Sequence, residues 1–167
     1  FKQQNLTTDQ VLPSSLYLDG TVTLAGQVLN IQLADDLSEQ LAGLTNRKSM
    51  AENEGMLFTL ATTHTPEFWM KDMLFPIDII WIRDGKVVDI DSRLEIEPGK
   101  TDNDLKRYLP KEEVNMVLEI NAGWAEKNNL SIGPNEKQIL DFSEIKEWGR
   151  KNNFAAQEVF AFGKYHN

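Results

Sequence analysis

Short runs of alternating apolar and polar residues make up most of the chain, and a helical spacing interrupts them in a few places. The stretch "SLYLDGTVTL" sets Asp19-Gly20 between two such runs. An Asp-Gly pair there predicts the turn of a hairpin, with "QVLNIQLA" (Gln27 to Ala34) continuing as a strand. In "DDLSEQLAGLTNR" the period changes: Leu37, Leu41 and Leu44 fall at i, i+4 and i+7, one face of a helix. Asp36 with Glu39 three positions on forms a capping-box pattern, and Gly43 ends the helix. "GMLFTL" and "EFWMKDM" read as strands separated by a Thr/His/Pro loop. A second Asp-Gly pair, Asp84-Gly85 in "IDIIWIRDGKVVDID", predicts another hairpin. "EPGKTDNDLKRYLPKEE" is a polar excursion with one helical turn, and "VNMVLEI" is a buried strand. "NAGWAEKNNLSIG" predicts a short capped helix running to Gly133, with "EKQILDF" as a closing strand.

The ends of the chain differ from this body. Residues 1–13 are polar and aperiodic and read as a tether. Beyond Asp141, Phe142, Ile145 and Trp148 recur at three-residue steps, the pattern of a short amphipathic helix. The expected division is therefore a leader at 1–13, a β-rich domain at 14–140 and a helical extension at 141–167. Many short strands with two or three short helices predict a β-rich α+β fold, a compact small barrel or sandwich of mostly antiparallel strands.

Composition narrows the function classes. The 167 residues hold 41% hydrophobic and 26% charged residues, the balance of an ordinary globular protein. A net charge of -9 argues against nucleic acid or an anionic membrane surface as partner, because both require a basic face. No apolar run reaches the length of a membrane span, so a membrane would be met only through an upstream anchor. The first residue is Phe1 rather than methionine. That fits either a removed signal peptide or anchor, hence an extracytoplasmic protein, or a trimmed chain.

The absence of cysteine excludes disulfides, thiolate metal sites and a cysteine nucleophile. His64 and His166 stand alone, and Ser49, Ser92 and Ser143 have no nucleophile-elbow context. No calcium loop or glycine-rich phosphate loop is present. The expectation is accordingly no catalytic residue, no metal and no cofactor. Met50, Met56, Met70 and Met73 read as core filler rather than soft-metal ligands.

The anomaly lies in "EFWMKDMLFPIDIIWI", an apolar stretch that carries Lys71, Asp72 and Asp78. An unpaired charge on a strand buried on both faces costs several kcal/mol. If the two halves form an antiparallel pair about Leu74-Phe75, Lys71 lies opposite Asp78 and each neutralises the other. Three outcomes stay open: a buried pair that fixes strand register, two side chains that both snorkel to solvent, or a pocket mouth where Lys71, Asp78 and Trp69 meet a polar ligand. Glu119, an acid within the apolar "VLEI", calls for a cationic neighbour such as Arg47 or Lys71. Arg47 follows the first helix and could bind a carboxylate.

Taken together and in order, these segments resemble the DUF192 family. The carriers are Ala34-Asp35, "GLTNR" (Gly43 to Arg47), "GMLF" (Gly55 to Phe58), "FWMKDMLFPIDI" (Phe68 to Ile79) and "VLE" (Val117 to Glu119), with Gly123 and Gly133. The similarity covers about residues 27–140. Thr45 stands where the family usually has Met, Asp72-Met73 where it has Asn-Thr, and Pro134-Asn135 where it has a Gly-Asp turn. The resemblance implies a small, often exported domain and transfers no reaction. Its motif coincides with the candidate ligand-binding residues Asp35, Arg47, Trp69, Lys71, Asp78 and Glu119.

Three functions compete. The first is a non-catalytic binding or accessory module of the cell envelope, with an envelope glycan, peptide or protein as ligand and Trp69, Trp81 or Trp124 as contact face. The second is a small hydrolase or lyase acting on an envelope glycan, with Asp78 or Glu119 as general acid or base. The third is a structural or assembly domain that docks through its C-terminal extension.

Overall fold

The computed structural model describes residues 19–133. Its first turn joins β1 (Gly20–Leu24) to β2 (Gln27–Ala34) through Ala25 and Gly26, whose φ angles are 51° and 74°. Two left-handed residues in a two-residue loop give the twist that antiparallel strands need. The expected turn at Asp19-Gly20 is therefore corrected by six residues. Asp19 is instead held to β2, its N–H donating to Ile31 O (2.8 Å) and its carboxylate accepting from Leu33 N (2.8 Å).

After β2 the chain makes the helix α1 (Leu37–Ala42). The Asp36 carboxylate caps it by accepting from Glu39 N at 2.8 Å, and Gly43 closes it at φ 49°. The cap matches the sequence pattern; the apolar face does not. Leu37 and Leu41 are exposed and only Leu44 is buried, because six residues are too few to lay a full stripe on the sheet.

α1 is a crossover, returning the chain to β3 (Glu54–His64) parallel to β2. β4 (Ile77–Arg83) and β5 (Lys86–Leu94) form the second hairpin, with Asp84 and Gly85 at φ 51° and 78° as the sequence predicts. β6 (Val114–Asn121) then inserts between β3 and β4, and the short α2 (Trp124–Lys127) follows. The helix expected to reach Gly133 stops at Lys127.

The strand order is β1-β2-β3-β6-β4-β5, antiparallel except for β2–β3. The β-rich α+β class stands, and the sheet stays open instead of closing into a barrel. Both faces are covered. Leu29, Ile31, Leu57, Ile80 and Leu118 pack on one face with Trp124 of α2. Met56, Phe58, Ile79, Trp81 and Val117 pack on the other, beneath loops that contribute Leu44, Met50, Met70, Met73 and Tyr108. All four candidate methionines are thus core filler. β4 is buried at every position from Ile77 to Ile82, which is why its sequence shows no alternation of polarity.

Gly55, at the head of "GMLF", has no room for a side chain. A Cβ there would lie 2.9 Å from Leu118 Cδ1 and 3.1 Å from the Glu119 carbonyl oxygen. The expected strand at "EFWMKDM" is a loop, tied to the rest by one antiparallel bridge between Phe68 and Tyr108. The leader, the closing strand and the tail helix lie outside the described residues.

With residues 71–76 in a loop, the proposed pairing of Lys71 with Asp78 fails. Asp78 sits on the face shared with Ile80 and Ile82, fully buried. It accepts three backbone N–H groups: Arg93 (2.8 Å), Gly123 (2.9 Å) and Ala125 (2.9 Å). Lys71 lies over the opposite face and pairs with Asp102 at 2.6 Å.

Candidate functional site

One row of side chains crosses the second face of the sheet. Through successive registers it runs Gln32, Met56, Glu119, Ile79 and Asp91, one residue from each of five strands. Asp91 accepts from Trp81 Nε1 at 2.8 Å. Glu119, on central β6, is 6% exposed.

The loop between α1 and β3 closes over this row. Leu44 and Met50 anchor it by burial. Asn121 Nδ2 donates to the carbonyls of Met50 (3.0 Å) and Ala51 (2.9 Å), and Ala51 N donates to the Glu54 carboxylate at 3.3 Å. From the same loop Arg47 reaches the row and donates from Nη2 to Gln32 Oε1. It stands within the fields of Glu54 and Glu119, which hold its proton, while burial works against its charge and prevails. Burial likewise pushes the Glu119 carboxyl up to about 8, against the opposing pull of Arg47. Glu119 therefore carries its proton at neutral pH. The expected Arg47–Glu119 neighbourhood is present, yet the two act on each other only through space, with no hydrogen bond between them.

A second group of residues lies on the loop before β4. Phe68 is fixed by reciprocal backbone hydrogen bonds with Tyr108 (3.0 and 2.9 Å) and by edge-on contacts with Phe58 and Trp81 (5.1 and 5.5 Å). Phe68 and Met70 point inward, so Trp69 and Lys71 point outward. Trp69 is 42% exposed. The Arg107 guanidinium lies 3.9 Å from its ring centroid and Lys71 Nζ lies 5.6 Å away. Arg107 Nη2 donates to Asp102 O (2.8 Å) and Nε lies 3.6 Å from Glu67. The result is an exposed indole framed by cations that are themselves paired. Asn46 N donates to Asp72 O (3.0 Å) and Thr45 Oγ1 to Lys71 O (3.4 Å), which joins this loop to the one carrying Arg47.

The DUF192 family model, described as Uncharacterized ACR, matches residues 20–136. The chain belongs to the DUF192 family. Two solved structures are similar to this DUF192 domain. One, from Sinorhizobium meliloti 1021, is described as a candidate transcription regulator; it is 28% identical, covers 73% of this chain and 90% of its own, and superposes with a TM-score of 0.60. The other, a protein of unknown function from Novosphingobium aromaticivorans DSM 12444, is 28% identical with 74% and 83% covered and a TM-score of 0.62. No curated protein matches the chain.

The six candidate residues of the DUF192 motif separate into four places. Arg47 and Glu119 meet under the first loop, and Trp69 and Lys71 meet on the second. Asp78 belongs to the opposite face. Gly123, the N-cap of α2, has no side chain to cap with, and Asp78 substitutes by accepting from Ala125 N in the first turn. Asp35 stands at the entry to α1, where its carboxylate lies within 4.8 Å of those of Asp36 and Glu39. The hydrogen bonds there, Glu39 N to Asp36 and Asp35 N to Glu39 (3.2 Å), are those of a helix cap. The sequence reading missed Gln32, Glu54, Asn121, Asp102 and Arg107. The first three could have been found once the strand register placed them around Glu119. Asp102 and Arg107 lie in a polar excursion with no local signal.

Proposed function

We propose that this DUF192 domain is a non-catalytic binding module of the cell envelope and that its recognition surface is the Trp69 platform, with an envelope glycan as ligand. The single observation that carries this reading is the exposure of Trp69. Trp81 and Trp124 are buried, so of the three candidate tryptophans Trp69 alone is exposed, with Arg107 lying over one side of its ring. An indole framed by Arg107, Lys71, Asp102 and Glu67 suits a hydroxylated ring: the apolar sugar face stacks, and the paired charges supply donors and acceptors without demanding a charged ligand. The extracytoplasmic setting rests on the acidic body and the polar leader. A role in transcription is not adopted, since a net charge of -9 opposes contact with a phosphate backbone.

The test is a titration with soluble glucose, N-acetylglucosamine and galacturonate oligosaccharides, read by tryptophan fluorescence and calorimetry. A saturable signal that Trp69→Ala abolishes and Trp69→Phe retains in part is expected. Equal binding by the alanine variant, or no saturation with any of the three, overturns the reading.

A second reading, a carboxylate-dependent hydrolase or lyase, is favoured by one observation: Glu119 keeps its proton near neutral pH, as a general acid must. It requires new reducing ends, or unsaturated ends from a lyase, from one of these oligosaccharides, lost in Glu119→Gln. Absence of turnover retires it.

A further inference from the structure

We propose that Arg47 and Glu119 together form a receptor for a small carboxylate, held by the Arg47 guanidinium on one side and by the Glu119 carboxyl on the other. This is independent of the Trp69 reading and concerns a different set of residues.

Unused hydrogen-bonding capacity carries the inference. Among the described residues Arg47 makes one side-chain hydrogen bond, from Nη2 to Gln32. A guanidinium has five N–H donors, so several remain open on a half-buried side chain. Glu119 is 94% buried, since 6% is exposed, and its carboxyl makes no hydrogen bond among the described residues. A buried polar group without a partner costs free energy and calls for an explanation. Among the described residues the sealed, unpartnered side-chain atom is Arg107 Nη1. The Glu119 carboxyl is not among such sealed atoms, so its buried oxygens keep a trace of solvent contact and stay without a protein partner.

The chemistry selects the ligand. Arg47 offers a planar fork that matches two carboxylate oxygens. Glu119, protonated at neutral pH, offers an O–H donor to one of the same oxygens. Arg47 from the loop is the charge that acts on Glu119, and Glu54 at the start of β3 acts on Arg47 in turn; Asp91, farther along the row, is engaged by Trp81. A cation would meet the positive charge of Arg47, and a phosphate dianion would meet Glu54. A monoanionic carboxylate balances Arg47 and leaves Glu54 where it is, accepting from Ala51 N. Asn121 and Gln32 hold the loop and the guanidinium in place beforehand, which lowers the ordering cost of binding.

The experiment is an NMR titration of the whole chain with acetate and then succinate, against sodium chloride at equal ionic strength. The signals followed are the Arg47 Nε–Hε and the Glu119 side-chain carboxyl carbon. Saturable movement of both with carboxylate and not with chloride is the expected result. Glu119→Gln, which keeps an N–H donor, should retain binding, whereas Glu119→Ala and Arg47→Met should weaken it roughly tenfold or more. Each variant is first checked for a native urea transition. Movement equal in chloride and carboxylate, no movement of either signal, or undiminished binding in Arg47→Met overturns the proposal. Because Trp69→Ala leaves these groups untouched, its loss of glycan binding and the fate of this site are read separately.

Discussion

Replacing Glu119 by glutamine should change the pH dependence of stability in a calculable way. The folded state raises this carboxyl from its ordinary 4.5 to about 8 by taking it out of water. Below pH 4.5 both folded and unfolded chains hold the proton, and Glu119 adds no pH-dependent term. Between 4.5 and about 8 the unfolded chain has lost the proton while the folded chain keeps it, so stability falls as pH rises. The slope is about 1.4 kcal/mol per pH unit, and the accumulated loss at pH 8 is on the order of 4–5 kcal/mol. That is a large share of the 5–15 kcal/mol typical of a domain. Glutamine has nearly the same shape and no proton to lose. Urea unfolding followed by tryptophan fluorescence, run from about pH 4 to pH 9, should give wild type and Glu119→Gln similar stability at the acid end. The variant should then gain steadily up to about pH 8, with the difference flat beyond that. A constant difference across the whole range would refute the claim that Glu119 is folded in its protonated form. So would a wild type that gains on the variant as the pH rises.

Three other substitutions test the architecture. Asp78→Asn replaces a carboxylate that accepts from Arg93, Gly123 and Ala125; urea unfolding should show a loss on the order of 3 kcal/mol or more, with m unchanged. Lys71→Met should cost less than about 1 kcal/mol, because its pairing with Asp102 is half open to water, at 39% and 55% side-chain exposure. A loss of the size expected for Asp78→Asn would contradict the surface pairing. Gly55→Ala should destabilise by about 1–3 kcal/mol, since the added carbon meets Leu118 and the backbone of β6; an unchanged thermal midpoint would show that β6 can yield.

The strands were legible in the sequence wherever one residue type fixed the geometry. Asp84-Gly85 supplied both left-handed residues of a hairpin turn, and β4, apolar on both faces apart from Asp78 and the terminal Arg83, pointed to a strand covered on both sides. The first hairpin was misplaced because its real turn uses Ala25, an alanine in the left-handed region that carries no sequence signal. Asp19 looked like a turn residue and instead serves as a hydrogen-bond acceptor for Leu33 N. The in-and-out alternation of Phe68 to Lys71 was real, but it reports a loop packed on the sheet, with a single bridge to Tyr108. Of the candidate site, Glu119 and Arg47 were found because an acid in an apolar strand needs a nearby cation. Asp78 was assigned the wrong partner for a plain reason: backbone N–H groups 15, 45 and 47 residues away leave no trace in side-chain patterning.

β6 lies at the middle of the sheet although, among the described residues, it is the last of its strands along the chain. During synthesis the five earlier strands emerge as two separate halves, β1-β2-β3 and β4-β5, each with an apolar edge awaiting the same missing neighbour. Until Val114–Asn121 has left the ribosome, neither half can complete its ladder, and both edges are open to pairing with other chains. A nascent chain stopped before residue 114 should therefore be insoluble, and extending it through β6 and α2 should restore solubility in one step.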